Sequence, residues 1–457
     1  MEFGRVFTFT LTFIGGATGW ILPFWGLMVY YMFAVIRPPF LWFWSLGYET
    51  RHSRIVALST LVGWVMHGFG GASLRGLKFQ MFGLYLWLGA SWVAYQFMAL
   101  NKAWAWRFLD INLKIGLMAL VTVTLIQTKK QLITFAWIIT ASLGYLAWVF
   151  NSQYYFDGWN RIYIRGFGAV DNNGAAMMMV MGVPLCFFMA LSTKRLWAKF
   201  LCWVAVACLC HVVLFSFSRG GQLGLCMVGL SLTIAALVML PRKILTLFLI
   251  GVFVTFTFYY AGDQVTERFT SIFVDADQRD HSAQSRFTTW RAGWQCMLDH
   301  PWGVGPRNFN IISSKYGLGP GKSVHNLFLQ VGADTGFAGA IGLMMFYFGT
   351  FFRVMYMSFH PVAKRLVWPR YIGHAVMHSL GGFLVCSMFI GMESVETGFI
   401  ISLLGLCTSA YVYRVADEED AQLLHDVAAR EIADQTDEVS DTEQAPPVPT
   451  HDGLSPA

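Results

Sequence analysis

Charge is scarce in this chain. Asp, Glu, Lys and Arg supply 13% of its 457 residues while 56% are hydrophobic, and the mean hydropathy is +0.52. So little polar surface cannot cover that much apolar side chain in water, which excludes a soluble globular protein. Period-two alternation is missing as well. The apolar runs are about 20 residues long, which excludes an outer-membrane barrel and leaves the helix as the spanning element. No small-residue cleavage pattern follows Met1-Glu2-Phe3-Gly4-Arg5, so the first apolar run reads as a retained span. Cysteine builds no disulfide framework: Cys186, Cys202, Cys208, Cys210, Cys226, Cys386 and Cys407 fall inside predicted spans, and only Cys296 falls in a polar interval. Cys208-x-Cys210 lacks companion ligands at metal spacing and reads as packing.

What is present is an all-α, polytopic membrane bundle. The first apolar region, about 7–36, exceeds one span and contains Gly15-Gly16, which suggests a tilted, kinked or re-entrant helix. Later spans are expected near 55–70, 80–100, 108–127, 131–150, 173–191, 198–216, 221–240, 243–260, 325–352, 373–392 and 396–413, about twelve in all. Lys and Arg in short loops set orientation. Arg75/Lys78, Lys129/Lys130, Lys194/Arg195, Arg242/Lys243 and Arg353/Lys364/Arg365/Arg370 share one side if the helices alternate, and that side is the cytoplasm. The Arg161/Arg165 loop, the Ser218-Arg219 turn and a large 261–323 loop are then periplasmic, while Arg37, Arg51, Arg54, Lys102 and Arg107 break the rule.

Charge divides the chain in two. Of the 26 acids and 32 bases, twelve acids but only one base, Arg430, lie from Val415 onward, which leaves 31 bases against 14 acids on the membrane domain, 1–414. A basic body suits anionic lipid headgroups and phosphate-bearing ligands. Nucleic acid is a poor partner because the bases are dispersed between spans. The 415–457 tail, acidic and ending in Ala445-Pro446-Pro447-Val448-Pro449, reads as a helical start followed by cytosolic disorder.

Several stretches could carry chemistry. Arg219 follows Ser218 and precedes Gly220-Gly221, where backbone can approach a ligand closely; taken alone it is equally a snorkelling interfacial arginine. Residues 285–299 read as an amphipathic helix capped by Ser285 or Ser282, with Arg286, Trp290 and Trp294 on one face and Arg291 elsewhere. The turn-rich run His300 to Phe309 reads as a bend, not as chemistry. His325, at the outer end of a span, can accept a hydroxyl proton or can be satisfied by backbone. Asp334 reads as an anchor more than a relay. Glu393 and Glu396 lie in an outer link, Asp171-Asn172-Asn173-Gly174 caps the following span, and Arg161 and Arg165 add positive charge to the same vestibule.

Ser218-Arg219-Gly220, Arg286-Phe287-Thr288-Thr289-Trp290, Gly303-Val304-Gly305, His325-Asn326-Leu327-Phe328-Leu329-Gln330 and Asp334-Thr335-Gly336 together resemble the bacterial O-antigen ligase and O-antigen polymerase superfamily. The likeness covers about Phe215 to Gly342. Arg37-Pro38-Pro39 and Asp171-Asn172-Asn173 are similar to its exosortase-associated O-glycosylation ligase branch. The resemblance implies a GT-C-type, metal-independent and cofactor-free glycosyltransferase of the inner membrane, with a glycan on undecaprenyl pyrophosphate as donor and a lipid, glycan or protein hydroxyl as acceptor. It implies that Arg219 and Arg286 hold the pyrophosphate, with Arg291 in support, and that His325 is the general base of an inverting attack. Asp334, Glu393, Glu396, Arg161 and Arg165 are further supporting candidates. A polymerase of the same superfamily, a glycan transporter and a purely structural membrane subunit are the competing expectations.

Overall fold

A computed structural model describes residues 2–47, 51–71, 74, 76–168, 170–245, 247–248, 251–252, 255, 259, 281–391 and 396–443. It is all-helical, and among the described residues the one β pairing is an isolated bridge between Phe167 and Val170. The principal helices are α1 (Glu2–Gly19), α2 (Pro23–Ile36), α3 (His52–Met66), α4 (Lys78–Val93), α5 (Lys102–Leu125), α6 (Lys129–Phe156), α7 (Asn172–Ser192), α8 (Leu196–Phe215), α9 (Arg219–Met239), α10 (His281–Asp299), α11 (Leu327–Phe359), α12 (Trp368–Ser387) and α13 (Glu396–Glu443). Contacts divide the chain into two units, Met1–Tyr411 and Val412–Ala457. In the second unit the helix runs on to Glu443, through eleven of the tail's twelve acidic residues, where composition leads to an expectation of disorder after a helical start. Helix length there rests on good helix formers, Ala, Glu, Leu and Gln, in a segment without Pro or Gly before Gln444.

Eight helices among the described residues are long and apolar enough to cross a membrane: Pro23–Leu41, α5, α6, α7, α8, α9, α11 and Glu396–Leu423. The first apolar region is two helices broken at residues 20–22, where Pro23 starts the second. Helices also form at three other expected spans, as α3, α4 and α12, but these fall short in length or hydropathy. The expected 243–260 span lies largely outside the described residues.

The centre of the first unit is α7. It is apolar all round, and 89% of its most apolar stretch is buried, as expected of a helix enclosed by others. Methionines at 177, 178, 179 and 181 fill its surroundings with adaptable side chains. Neighbouring α12, α8, α9 and α6 pack against it, and small residues let backbones approach: a Cβ on Gly224 would lie 2.3 Å from Cys386 Sγ, and one on Gly382 2.6 Å from Val228 Cγ2. Chain direction then brings the N-terminal ends of α7, α9 and α11 and the C-terminal end of α12 together at one end of the bundle, where the polar residues collect.

Candidate active site

The turn into α7 is built by Asp171. Its carboxylate accepts the Gly174 N–H at 2.9 Å as the N-cap, as the sequence indicates, and also takes the Asn173 amide at 3.1 Å. Asn173 Oδ1 receives the Ser218 hydroxyl at 2.7 Å, and Asn172 donates to the Ser216 carbonyl at 3.0 Å. The start of α9 is thus bolted to the start of α7. Ser218 caps α9 by accepting from Gly221 N at 3.1 Å, and Phe217 before it is held at φ 51°. Arg219 is the first helical residue.

Gly220 and Gly221 sit at close helix contacts. A Cβ on Gly220 would lie 3.0 Å from Phe389 Cβ, and one on Gly221 2.7 Å from Ala176 Cβ. The glycines let α9 close on α7 and on the segment after α12.

That segment, Met388 to Gly391, is the seam of the site. Arg286 of α10 donates through Nη1 to the Phe389 carbonyl. Arg307 donates through Nη1 to the Gly391 carbonyl and lies over the Phe108 ring at 5.3 Å. Cys386 reaches the Gly220 carbonyl at 3.4 Å, and Asn326 donates to Met388 Sδ at 3.8 Å. A Cβ on Gly391 would stand 3.2 Å from the His325 N, so His325 approaches the same seam. His325 adopts φ 56° and Arg307 φ 58°. Non-glycine residues held left-handed carry strain of roughly 1–3 kcal/mol each and persist where surroundings over-determine them.

Helix α10 begins at His281, ahead of the expected Ser285 cap, and ends at Asp299 as expected. Its inward face carries Thr289, Ala292, Cys296 and Met297, while Phe287, Arg291, Trp294 and Leu298 are exposed. Trp294, about 40° round the axis from Trp290, is half-exposed and packs on Phe337 at 6.0 Å. Trp290 donates its indole N–H to the His325 carbonyl at 3.4 Å. Arg291 is five residues past Arg286, about 140° around the axis, and is not brought to the cluster.

Electrostatics tie the cluster together. Burial, partly offset by Asp171 and reinforced by Arg219, works against the charge of Arg286, although a guanidinium stays protonated at any ordinary pH. Burial, then Arg286, with Asp171 opposing and Lys322 and Arg307 adding, brings the His325 ring down to about 4. The imidazole is neutral at pH 7 and free to accept a proton.

The other candidates hold the frame. Asp334 is fully buried; its two oxygens take the Phe309 N–H at 3.0 Å and the Gln330 amide at 2.8 Å. Its carbonyl accepts from Gly305 N at 2.8 Å. Gly303 at φ 81° and Gly336 at φ 75° make this docking possible, since a Cβ on either would come within 2.4 Å of a backbone oxygen. The expected bend at 303–305 is thus a clasp on the Asp334-Thr335-Gly336 break in α11. Glu396 pairs with Arg37 at 3.7 Å, and Arg37 donates to the Gly168 carbonyl in the loop before Asp171. Arg161 is buried against the Phe40 and Leu41 carbonyls and the Trp159 and Phe43 rings, and Arg165 lies over the same two rings. Neither is among the charges acting on His325. Glu393 lies outside the described residues. Arg307, Asp171 and Lys322 are the members of the cluster to which sequence reading gave no chemistry. For Arg307 the signal was the Gly303-Val304-Gly305 pattern, which fixes the loop that delivers it.

Two guanidinium groups, a third on the neighbouring loop, three helix N-termini and a neutral imidazole can hold a polyanion and receive a proton beside it. No curated protein matches the chain. Residues 204–344 match the family model described as O-Antigen ligase, and this stretch, which holds Arg219, Arg286, Arg307 and His325, carries the likeness to the O-antigen ligase superfamily.

Proposed function

We propose that the chain is a membrane glycan ligase of the GT-C type, acting at the periplasmic face of the bacterial inner membrane. Its donor in this reading is an oligo- or polysaccharide on undecaprenyl pyrophosphate, and its acceptor is a lipid, glycan or protein hydroxyl. One observation carries the reading: Arg219, Arg286, Arg307 and a neutral His325, from four separate segments, meet around Phe389 to Gly391. The O-antigen ligase match over the same residues supports it.

The chemistry follows from the charges. Arg219 and Arg286 bind the pyrophosphate, and Arg307 extends the cationic wall. As the bond between the anomeric carbon and the phosphate oxygen breaks, its electron pair stays on the pyrophosphate, where fixed guanidinium groups meet the added charge. The acceptor oxygen bonds to the anomeric carbon from the opposite face and inverts it, while its proton passes to His325. No metal or cofactor has a part in this scheme. A bound pyrophosphate also offsets the arginine field that depresses His325, so the base strengthens when the donor is in place.

A polymerase would use the same groups with a growing glycan as acceptor. A transporter would need charge along its path, whereas the cluster of Arg219, Arg286, Arg307 and His325 lies at one end of the bundle. Purified protein given a polyprenyl-pyrophosphate-linked glycan and an acceptor lipid separates these. Formation of a new glycoconjugate with release of polyprenyl pyrophosphate is the expected result, and saturable donor binding with no product would favour transport.

A further inference from the structure

The buried pair Gln330 and Asp334 stands between the two halves of the cluster. Both side chains are fully buried. Gln330 Oε1 accepts the Val324 N–H at 2.9 Å, next to His325, and Gln330 Nε2 donates to Asp334 Oδ2 at 2.8 Å. Asp334 Oδ1 accepts the Phe309 N–H at 3.0 Å, two residues from Arg307. A continuous run of three hydrogen bonds therefore joins the backbone before the base to the backbone after the cation. The same amide oxygen would lie 3.3 Å from a Cβ on Gly391, whose carbonyl takes Arg307. Near the two ends, His325 and Arg307 are both left-handed, and such conformations need outside restraint.

We propose that Gln330 and Asp334 are positioning residues that set the separation and orientation of His325 relative to Arg307. The inference rests on the proposed role of His325 as base. A relaxed backbone at either end would swing the imidazole off the acceptor path, and a displacement of about 1 Å at a reacting group is worth on the order of 10²-fold in rate.

The pair permits a reciprocal exchange. In Gln330→Glu two acceptor carboxylates face each other in a dry site, and in Asp334→Asn two amide NH2 groups do. In the double variant a glutamate at 330 accepts from Val324 N and from the asparagine amide at 334, whose oxygen still takes Phe309 N. Every bond of the run is remade, with the negative charge moved toward His325. Around that ring the charged groups are Arg286 of α10, Asp171 at the start of α7, and Lys322 and Arg307 on the loop.

The test measures the detergent-purified full chain in two ways: transfer rate, and the pH midpoint of diethyl pyrocarbonate modification at His325, followed by mass spectrometry of its peptide. Each single variant is expected to lose on the order of 10²-fold in kcat, with a much smaller change in donor KM. The double variant should recover most of the rate and show a His325 midpoint moved to higher pH. A purely structural pair would lower the yield of folded protein in the single variants without lowering kcat per folded molecule. A folded double variant that stays inactive, or whose midpoint is unmoved, overturns the proposal. If the exchange variants do not fold, Gln330→Met, which keeps volume and removes the bonds to Val324, Asp334 and Asn310, decides by itself: full kcat overturns the proposal. If the wild type modifies at His325 as described yet transfers no glycan, the functional reading fails while the geometric link is still read from the midpoint.

Discussion

At the residue scale, the account rests on His325 being neutral and held among cations. Its ring falls to about 4 through burial and the Arg286, Lys322 and Arg307 charges, whereas an unfolded chain titrates near the ordinary 6.5. Between those values the unfolded state binds the proton and the folded state does not. Stability therefore rises with pH through that window and is lost as pH falls toward 4. The acid limb of kcat/KM, which reports the free enzyme, should lie well below 6.5, and that of kcat, which reports the donor complex, should lie higher. Coincident limbs at 6.5 would mean that the cations do not act on the base. Arg286→Ala should lower kcat/KM by about 10²–10³-fold as a lost oxyanion-type donor, whereas Arg291→Ala, on the exposed face of α10, should stay near wild type. Steady-state kinetics of the two variants side by side checks this. Arg219, Arg286 and His325 were legible in the sequence because each sits in a local pattern. That Arg307 and the capping Asp171 join them was not, because this depends on tertiary contacts: a left-handed backbone clasped by Asp334, and a cap tied to the next helix through Asn173.

At the element scale, close helix approach places the groups. Gly220→Val would drive a side chain into Phe389, and overpacking of this kind costs about 1–3 kcal/mol. A fall in thermal midpoint together with weaker donor binding is expected, because the Arg219 turn is displaced from the Arg286 carbonyl partner. Gly303→Ala is expected to be the more severe, since the left-handed φ and the Asp334 carbonyl at 2.4 Å both oppose a Cβ; Ala at an incompatible positive φ costs more than about 1 kcal/mol. Thermal unfolding in detergent ranks the two, and equal midpoints with wild type would remove the clasp from the account. The helices themselves were legible from long apolar runs. Their ends were less so: α10 starts earlier than its Ser cap suggested, and the helix contacts at Gly220 and Gly221 had no signal of their own.

At the scale of the whole molecule, the proposal requires the cluster and the Lys364-Arg365 loop to face opposite sides of the membrane. Lys322 and Lys364 are both exposed. A cysteine at position 322 should react with an impermeant maleimide from the periplasm of cells with a permeabilised outer membrane, and one at 364 only after lysis. Equal labelling of both would overturn the orientation. Helical class and membrane location follow from hydropathy alone, but the meeting of four distant segments at one bundle end is a product of packing that no local pattern encodes.

The most direct test of the central claim is single-turnover glycan transfer by purified wild type and His325→Asn, with donor binding measured on the same samples. Asparagine tolerates the left-handed backbone at 325, so the fold and the arginine site are preserved. The account predicts unchanged donor affinity with transfer reduced about 10²–10⁴-fold, the range of a lost general base. Transfer at the wild-type rate by His325→Asn would contradict it.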